Sequence, residues 1–148
     1  MAGHLIRRLN QISVSIFSDK MSEGGFDLTP VQFATLNTLH ENAGIDQATL
    51  AGLIAYDRVA IGGVIERLEQ KQLLERQVSA KDRRARVLVL SEDGKELLFK
   101  VRPIVAALQS DILQGLTKEE SDVFIRLLGK AASGGNSRSR APLKEMRK

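Results

Sequence analysis

Lys81, Arg83, Arg84 and Arg86 put four cations into six residues, with Asp82 among them. Ammonium and guanidinium groups at that density suit the neutralisation of phosphate oxygens by charge-assisted hydrogen bonds. Arg58 and Tyr56 lie upstream and add a guanidinium for phosphate or guanine and a hydroxyl that can donate to phosphate. A second cationic group, His4, Arg7 and Arg8, is spaced i, i+3 and i+4 beside an apolar stripe. One of these three side chains could receive a carboxylate whose apolar body rests on the stripe. Against these readings stand a solvated hairpin tip or a pair between one of its arginines and Asp82, a Tyr56 that plugs the turn, a solvated first-turn residue at Arg58 and a frayed N-terminal turn. His40, near a helix end, reads as an ordinary C-terminal cation.

The charge is not spread evenly. From Arg58 to Arg86 there are eight cations against four anions, and from Ser133 to Lys148 five against one. Each stretch carries +4 and so does the whole chain, so the remaining body is −4. Confinement of positive charge to two stretches is the footprint of a nucleic-acid binder rather than of a uniformly basic surface.

The elements that must position these groups can be read from periodicity. Val59, Ile61, Val64, Ile65 and Leu68 recur at helical spacings after Asp57, a cap residue. The period then changes to strand-like runs, LLERQV and RVLVL, around the cationic tip. Upstream, Asp46 caps a short helix from Gln47 to about Ile54, and Ala55-Tyr56 turns the chain. Two helices so closely joined, followed by a basic-tipped hairpin, predict a winged helix-turn-helix whose second helix enters the major groove.

Flanking helices complete the pattern. Leu5, Leu9, Ile12 and Ile16 mark a helix from residue 4 to about 21, ended by Gly24-Gly25. Thr29-Pro-Val-Gln32 opens another with a cap, a proline at the first helical position and a capping box, and Asn42-Ala-Gly44 stops it. Ser91 caps a long helix through Leu98, Val101 and Leu108 to Gly115, which Pro103 should kink near Phe99 to Arg102. Thr117-Lys-Glu-Glu120 is a further capping box before a last apolar helix. From Ser133 the composition predicts a disordered basic tail.

The run from Leu50 to Gly94, above all DRRARVLVLSEDG at Asp82–Gly94 and ERLEQKQLLER at Glu66–Arg76, resembles the MarR family of bacterial transcription regulators. The resemblance covers residues 4 to about 132. It implies a mainly α fold of about six helices with a β-hairpin wing, 30–91 being the DNA-binding region and 1–29 with 92–132 the dimerisation helices. It also implies a homodimer on palindromic double-stranded DNA, and in many members release by a small aromatic acid. Arg84 is similar to the wing arginine that meets DNA. Asp82 is similar to the carboxylate that braces the wing through an arginine. Ala60, Ile61 and Gly62, with Gly63, stand where the family reads the groove. They lack hydrogen-bonding side chains, so readout must lean on Arg58, thymine methyls or DNA shape. Gln72 stands where the family usually has glycine, and a left-handed glutamine there would cost about 1 kcal/mol.

At 148 residues, with 43% hydrophobic and 27% charged content, the chain can bury the core of one domain. The absence of cysteine excludes disulfides, zinc-thiolate sites and thiol redox sensing, and fits a cytoplasmic protein. No stretch approaches the about 18 apolar residues of a membrane span. The GxSxG, P-loop, HExxH and GxGxxG motifs are all missing, which argues against an enzyme or a bound cofactor. The expectation is a sequence-specific repressor released by an aromatic carboxylic acid, with Leu5, Leu9 and Ile12 as apolar walls and His4, Arg7 or Arg8 as the anion site. The alternatives are an effector-independent DNA binder and a winged-helix protein-interaction module, which would have no need of a cationic wing.

Overall fold

Side-chain caps at Asp46, Ser91 and Thr117 start helices in the computed structural model, which describes residues 1–146. In order, the helices are α1 (Ala2–Glu23), α2 (Pro30–Glu41), α3 (Gln47–Leu53), α4 (Ile61–Gln70), α5 (Glu92–Ile112) and α6 (Lys118–Gly134). Strands β1 (Leu74–Val78) and β2 (Arg86–Leu90) lie between α4 and α5. Asp46 Oδ1 accepts the Thr49 N–H at 2.7 Å to start α3. The Thr117–Glu120 box closes both ways: Glu120 Oε2 accepts the Thr117 N–H at 3.0 Å, and Thr117 Oγ1 accepts the Glu120 N–H at 3.2 Å. α5 runs through Pro103 and ends at Ile112, short of Gly115.

The chain divides into two compact units. One is Met1–Pro30 with Lys100–Gly134, and the other is Val31–Phe99 with the chain from Gly135 on. The division falls inside α5, between Phe99 and Lys100, just ahead of Pro103.

The second unit is a winged helix. Leu36, Leu39, Leu50, Ile61, Ile65, Leu68, Leu74, Leu88 and Leu98 are its large, fully buried apolar residues. β1 and β2 pair antiparallel with Leu74 opposite Leu90, Arg76 opposite Leu88 and Val78 opposite Arg86. Ile45, between α2 and α3, adds a bridge to Leu88, whose N–H donates to the Ile45 carbonyl at 2.8 Å.

The junction between α4 and β1 is tightly specified. Gln72 has φ 60°, the left-handed conformation expected where the family places glycine. The Ser91 hydroxyl donates to the Gln72 carbonyl at 2.6 Å and accepts the Gly94 N–H at 3.0 Å, so one side chain ties this turn to the first turn of α5. Relief of the left-handed strain is worth roughly 1–2 kcal/mol, and the added chain entropy of glycine returns roughly 0.5–1 of it. Gln72→Gly should therefore raise the unfolding free energy by about 0.5–1 kcal/mol. Urea melts of the two proteins check it, and a lower midpoint for the variant would show that the glutamine side chain contributes more than its backbone costs.

Two expectations are corrected here. α4 begins at Ile61 and not directly after Asp57, because residues 58–60 form a preceding turn. The segment from Ser133 is not disordered: α6 continues to Gly134, and Asn136–Arg138 make a 3-10 turn. Asn136 holds the next stretch in a loop, its amide nitrogen donating to the Leu143 carbonyl at 3.0 Å and its amide oxygen accepting the Leu143 N–H at 2.8 Å. Those local bonds offset part of the ordering entropy that composition alone predicts will win. Arg147 and Lys148, the end of the expected tail, lie outside the described residues.

Candidate nucleic-acid interface

α4 presents two faces. Ile61, Ile65 and Leu68 are fully buried, whereas Gly63, Glu66, Arg67 and Gln70 are exposed, as are Val59 and Ala60 in the turn ahead of the helix. Ile61, expected at the groove, is a core residue instead, and it stays there because it heads the apolar stripe. Val59 was expected in that stripe and is 92% exposed. It belongs to the turn that Asp57 holds ahead of α4, outside the helix whose apolar stripe begins at Ile61. Apolar periodicity extended back past Ile61 hides this exposed residue.

The turn into α4 is held by Asp57. Its Oδ1 accepts the N–H groups of Val59 at 2.8 Å and Ala60 at 3.2 Å, and its carbonyl accepts the Ile61 N–H at 2.9 Å. This fixes Arg58, Val59 and Ala60 as an exposed ledge at the leading end of α4. Tyr56 is half-buried in the turn, its N–H bonded to the Ala51 carbonyl at 2.9 Å. Gly62 is half-buried, and a Cβ there would meet Gln47 Nε2 at 3.3 Å. Gly63 opens on empty space, so packing within the chain does not require its missing side chain. Hydrogen bonds from the side chain and main chain of Thr49, then the nearby Arg58 charge, hold the Asp46 carboxyl below its ordinary value against the opposing effect of partial burial. The stability this cap gives α3 is therefore present above the ordinary carboxylate range and lost as pH falls through the lowered value.

The wing tip is a compact turn. The Ser79 N–H reaches the Ala85 carbonyl and the Ala85 N–H reaches the Asp82 carbonyl, both at 3.0 Å. Ser79 Oγ accepts the N–H groups of Lys81 at 3.2 Å and Asp82 at 3.4 Å. Asp82 Oδ1 accepts the main-chain N–H of Arg84 at 3.0 Å, which holds the tip by its backbone. The charged brace seen under the wing joins other residues: Arg76 Nε on β1 donates to Glu69 Oε1 on α4 at 2.7 Å. β2 starts at Arg86, so Arg83 and Arg84 belong to the turn rather than to a strand face. Lys81, Arg83, Arg84 and Arg86 are all exposed. The result is an exposed helix face and an exposed cationic tip on one winged helix, with the tip available to phosphate oxygens.

The residues expected to hold an acid lie in the other unit. Arg7 Nη2 is 3.3 Å from His4 Nδ1 and Arg7 Nη1 donates to Gln11 Oε1 at 3.4 Å, all exposed on α1. Arg8 instead lines a shallow cleft of about 400 Å³ with Gln11, Ile12, Ser15, Ile16 and Gln114. The structure therefore brings Arg8 to a mixed hollow in which Ile12 and Ile16 are the apolar side chains, and leaves His4 and Arg7 outside it. Among the described residues no group of acidic, histidine or cysteine side chains could hold a metal ion, and no helix is long and apolar enough to cross a membrane.

Comparison with known proteins adds four findings to this geometry. The model of the MarR family matches residues 28–85. The HTH-type transcriptional repressor NicR of Pseudomonas putida is 30% identical over 128 residues, covering 86% of this chain and 80% of that protein. Among solved structures, BpsR of Bordetella bronchiseptica, described for regulation of its DNA binding by 6-hydroxynicotinic acid, superposes with a TM-score of 0.82 at 30% identity over 89% of this chain and 93% of that one. The repressor CouR bound to a 23-mer DNA duplex superposes with a TM-score of 0.80 at 26% identity, over 89% and 92% of the two chains.

Proposed function

This chain belongs to the MarR family, and from that premise we propose that it is a repressor that binds a palindromic operator as a homodimer and leaves DNA when a small aromatic carboxylic acid binds. Its place among DNA-binding transcription regulators of the winged-helix type follows from the family itself. The exposure of both a cationic wing tip and an α4 face on one winged helix is the observation that carries the DNA contact. α4 enters the major groove with Arg58, Val59 and Ala60 leading, and Lys81, Arg83, Arg84 and Arg86 hold the flanking backbone.

The homodimer is supported by apolar surface left uncovered in the first unit. Leu5, Ile6, Ile12 and Val14 on α1, and Val123, Ile125, Leu127 and Leu128 on α6, are all exposed, and α6 buries none of its residues. Faces of that extent on two long helices mark an interaction surface. Sedimentation at micromolar concentration should give a dimer, and a monomer throughout would remove the two-fold reading of a palindrome.

The effector reading rests on BpsR, whose DNA binding 6-hydroxynicotinic acid regulates, and on the Arg8 cleft. A guanidinium at the edge of a hollow walled by Ile12 and Ile16 suits a planar acid: the carboxylate meets Arg8 and the ring meets the aliphatic side chains. The test is release of labelled DNA by salicylate, 4-hydroxybenzoate, nicotinate and 6-hydroxynicotinate, with wild type, Arg8→Ala, Arg7→Ala and His4→Ala. The ligand shifts affinity only by its preference for one state of the dimer, typically 1–3 kcal/mol, or about 5–150-fold. Arg8→Ala should blunt release most. Release that survives all three substitutions places the acid elsewhere, and no release at millimolar acid leaves an effector-independent repressor.

A further inference from the structure

We propose that residues 135–146 form a basic arm, docked on α3 beside the leading end of α4, that carries Arg138, Arg140 and Lys144 onto the DNA sugar-phosphate backbone. The inference rests on the DNA-binding reading and extends it to a segment that the match to the family model, residues 28–85, does not reach.

The arm is built against the helix-turn-helix. The Lys144 N–H donates to the Gly52 carbonyl at 2.8 Å, a last-turn carbonyl of α3 that also accepts the Ala55 N–H at 3.3 Å. A Cβ on Gly52 would meet the Lys144 Cβ at 3.0 Å. A glycine inside a short helix is unfavourable against alanine, and here its missing side chain is the space that the stem of Lys144 fills. Arg140 Nη2 lies 3.5 Å from Asp57 Oδ2, on the carboxylate whose other oxygen holds Val59 and Ala60. Lys144 and Arg58 line one hollow of about 350 Å³ with Thr49 and Leu53. Three cations, Arg58, Arg140 and Lys144, are thus gathered around the α3–α4 turn.

The sign of the charge decides what such an arm does. An arm that covered the reading head in place of DNA would gain from carrying acidic residues, as DNA does. This one carries three cations against Glu145, and adds to the positive field of Arg58 rather than cancelling it. Its hold on α3 uses the main chain and leaves Arg138, Arg140 and Lys144 exposed. In helix-turn-helix docking the first helix crosses the DNA backbone while the second enters the groove, so an arm seated on α3 meets phosphates and not base edges. It supplies affinity without sequence choice.

The experiment compares the full chain with its Arg138→Gln/Arg140→Gln/Lys144→Gln variant on a duplex of arbitrary sequence across a salt series. The plot of log K against log salt should become shallower by about 0.9 for each phosphate that the variant no longer neutralises, with the melting temperature unchanged. Gly52→Val, which keeps every charge and fills the seat of the arm, should shift the slope in the same direction. An unchanged slope in the triple variant overturns the proposal, and tighter binding does so too, because it would make the arm a competitor of DNA. A slope lowered by the triple variant and untouched by Gly52→Val overturns the docked position. Failure of the wild-type chain to bind any duplex is a separate outcome and refutes the DNA reading itself.

Discussion

An alanine at position 94 should be among the most damaging small substitutions in this protein. A Cβ on Gly94 would overlap the carbonyl oxygen of Leu73 and crowd its carbonyl carbon, so main chain and not a movable side chain stands in the way. The approach is close because the first turn of α5 is strapped to the turn before β1. Ser91 Oγ bonds both the Gln72 carbonyl and the Gly94 N–H, and the Ser91 N–H reaches the Leu73 carbonyl at 3.2 Å. Overpacking of this kind costs about 1–3 kcal/mol and more where backbone must move. Against a total stability of order 5–15 kcal/mol, that is a large fraction for one methyl group. Melting should fall by roughly 2–4 °C for each kcal/mol in a chain of this size. DNA binding should fall further than the melt predicts, since Leu73 leads directly into the wing. A Gly94→Ala protein that melts and binds like wild type would refute the backbone contact. Ser91→Ala, which removes the strap and leaves room, should cost only about 1 kcal/mol.

The winged helix was legible because several short-range signals agree: caps at Asp46, Ser91 and Thr117, a stripe at Ile61, Ile65 and Leu68, and a change of period at Leu73-Leu74. Gln72 was legible at the level of a single backbone angle through the family resemblance, because glycine usually stands at that position. The start of α4 was not legible. Val59 and Ile61 are both apolar and close to Asp57, and the turn over residues 58–60 leaves Val59 in solvent while Ile61 opens the helix and faces the core. The arm was illegible for a different reason. SGGNSRSRAPLKEMRK lacks the apolar content to pack alone, and its order comes from Asn136 closing a loop and from a carbonyl of Gly52, distant in sequence. A brace between Arg76 and Glu69 was equally hidden, because seven residues and a change from helix to strand separate two ordinary surface charges. The expected acid site combined the family resemblance with spacing on α1, which groups His4, Arg7 and Arg8 without saying which of them meets a hollow; of the three, Arg8 lines the cleft.

Arg83→Ala/Arg84→Ala should remove more DNA affinity than any other pair of surface changes while leaving the fold untouched. Both side chains are exposed, and the wing turn is held by Ser79, Asp82 and main-chain groups rather than by these guanidiniums. Thermal stability should stay within about 0.5 kcal/mol of wild type, the usual range for a surface substitution. If each arginine holds one phosphate in each subunit of a dimer, the variant leaves four phosphates without a partner, and the slope of log K against log salt should fall by about 3.6. The weakening should be the same for every duplex, because phosphates position and do not specify. An unchanged slope with selective weakening at one base pair would mean that an arginine reads a base edge instead. Asp82→Ala separates geometry from charge. Removing a negative charge from a cationic tip should strengthen binding if field alone mattered. Asp82 Oδ1 is the acceptor that fixes the Arg84 main chain at 3.0 Å, so its removal frees the tip and adds the entropy of ordering it to the cost of binding. Weaker binding by Asp82→Ala is therefore the expected result, measured by anisotropy on the same duplexes, and tighter binding would overturn the bracing role of the carboxylate.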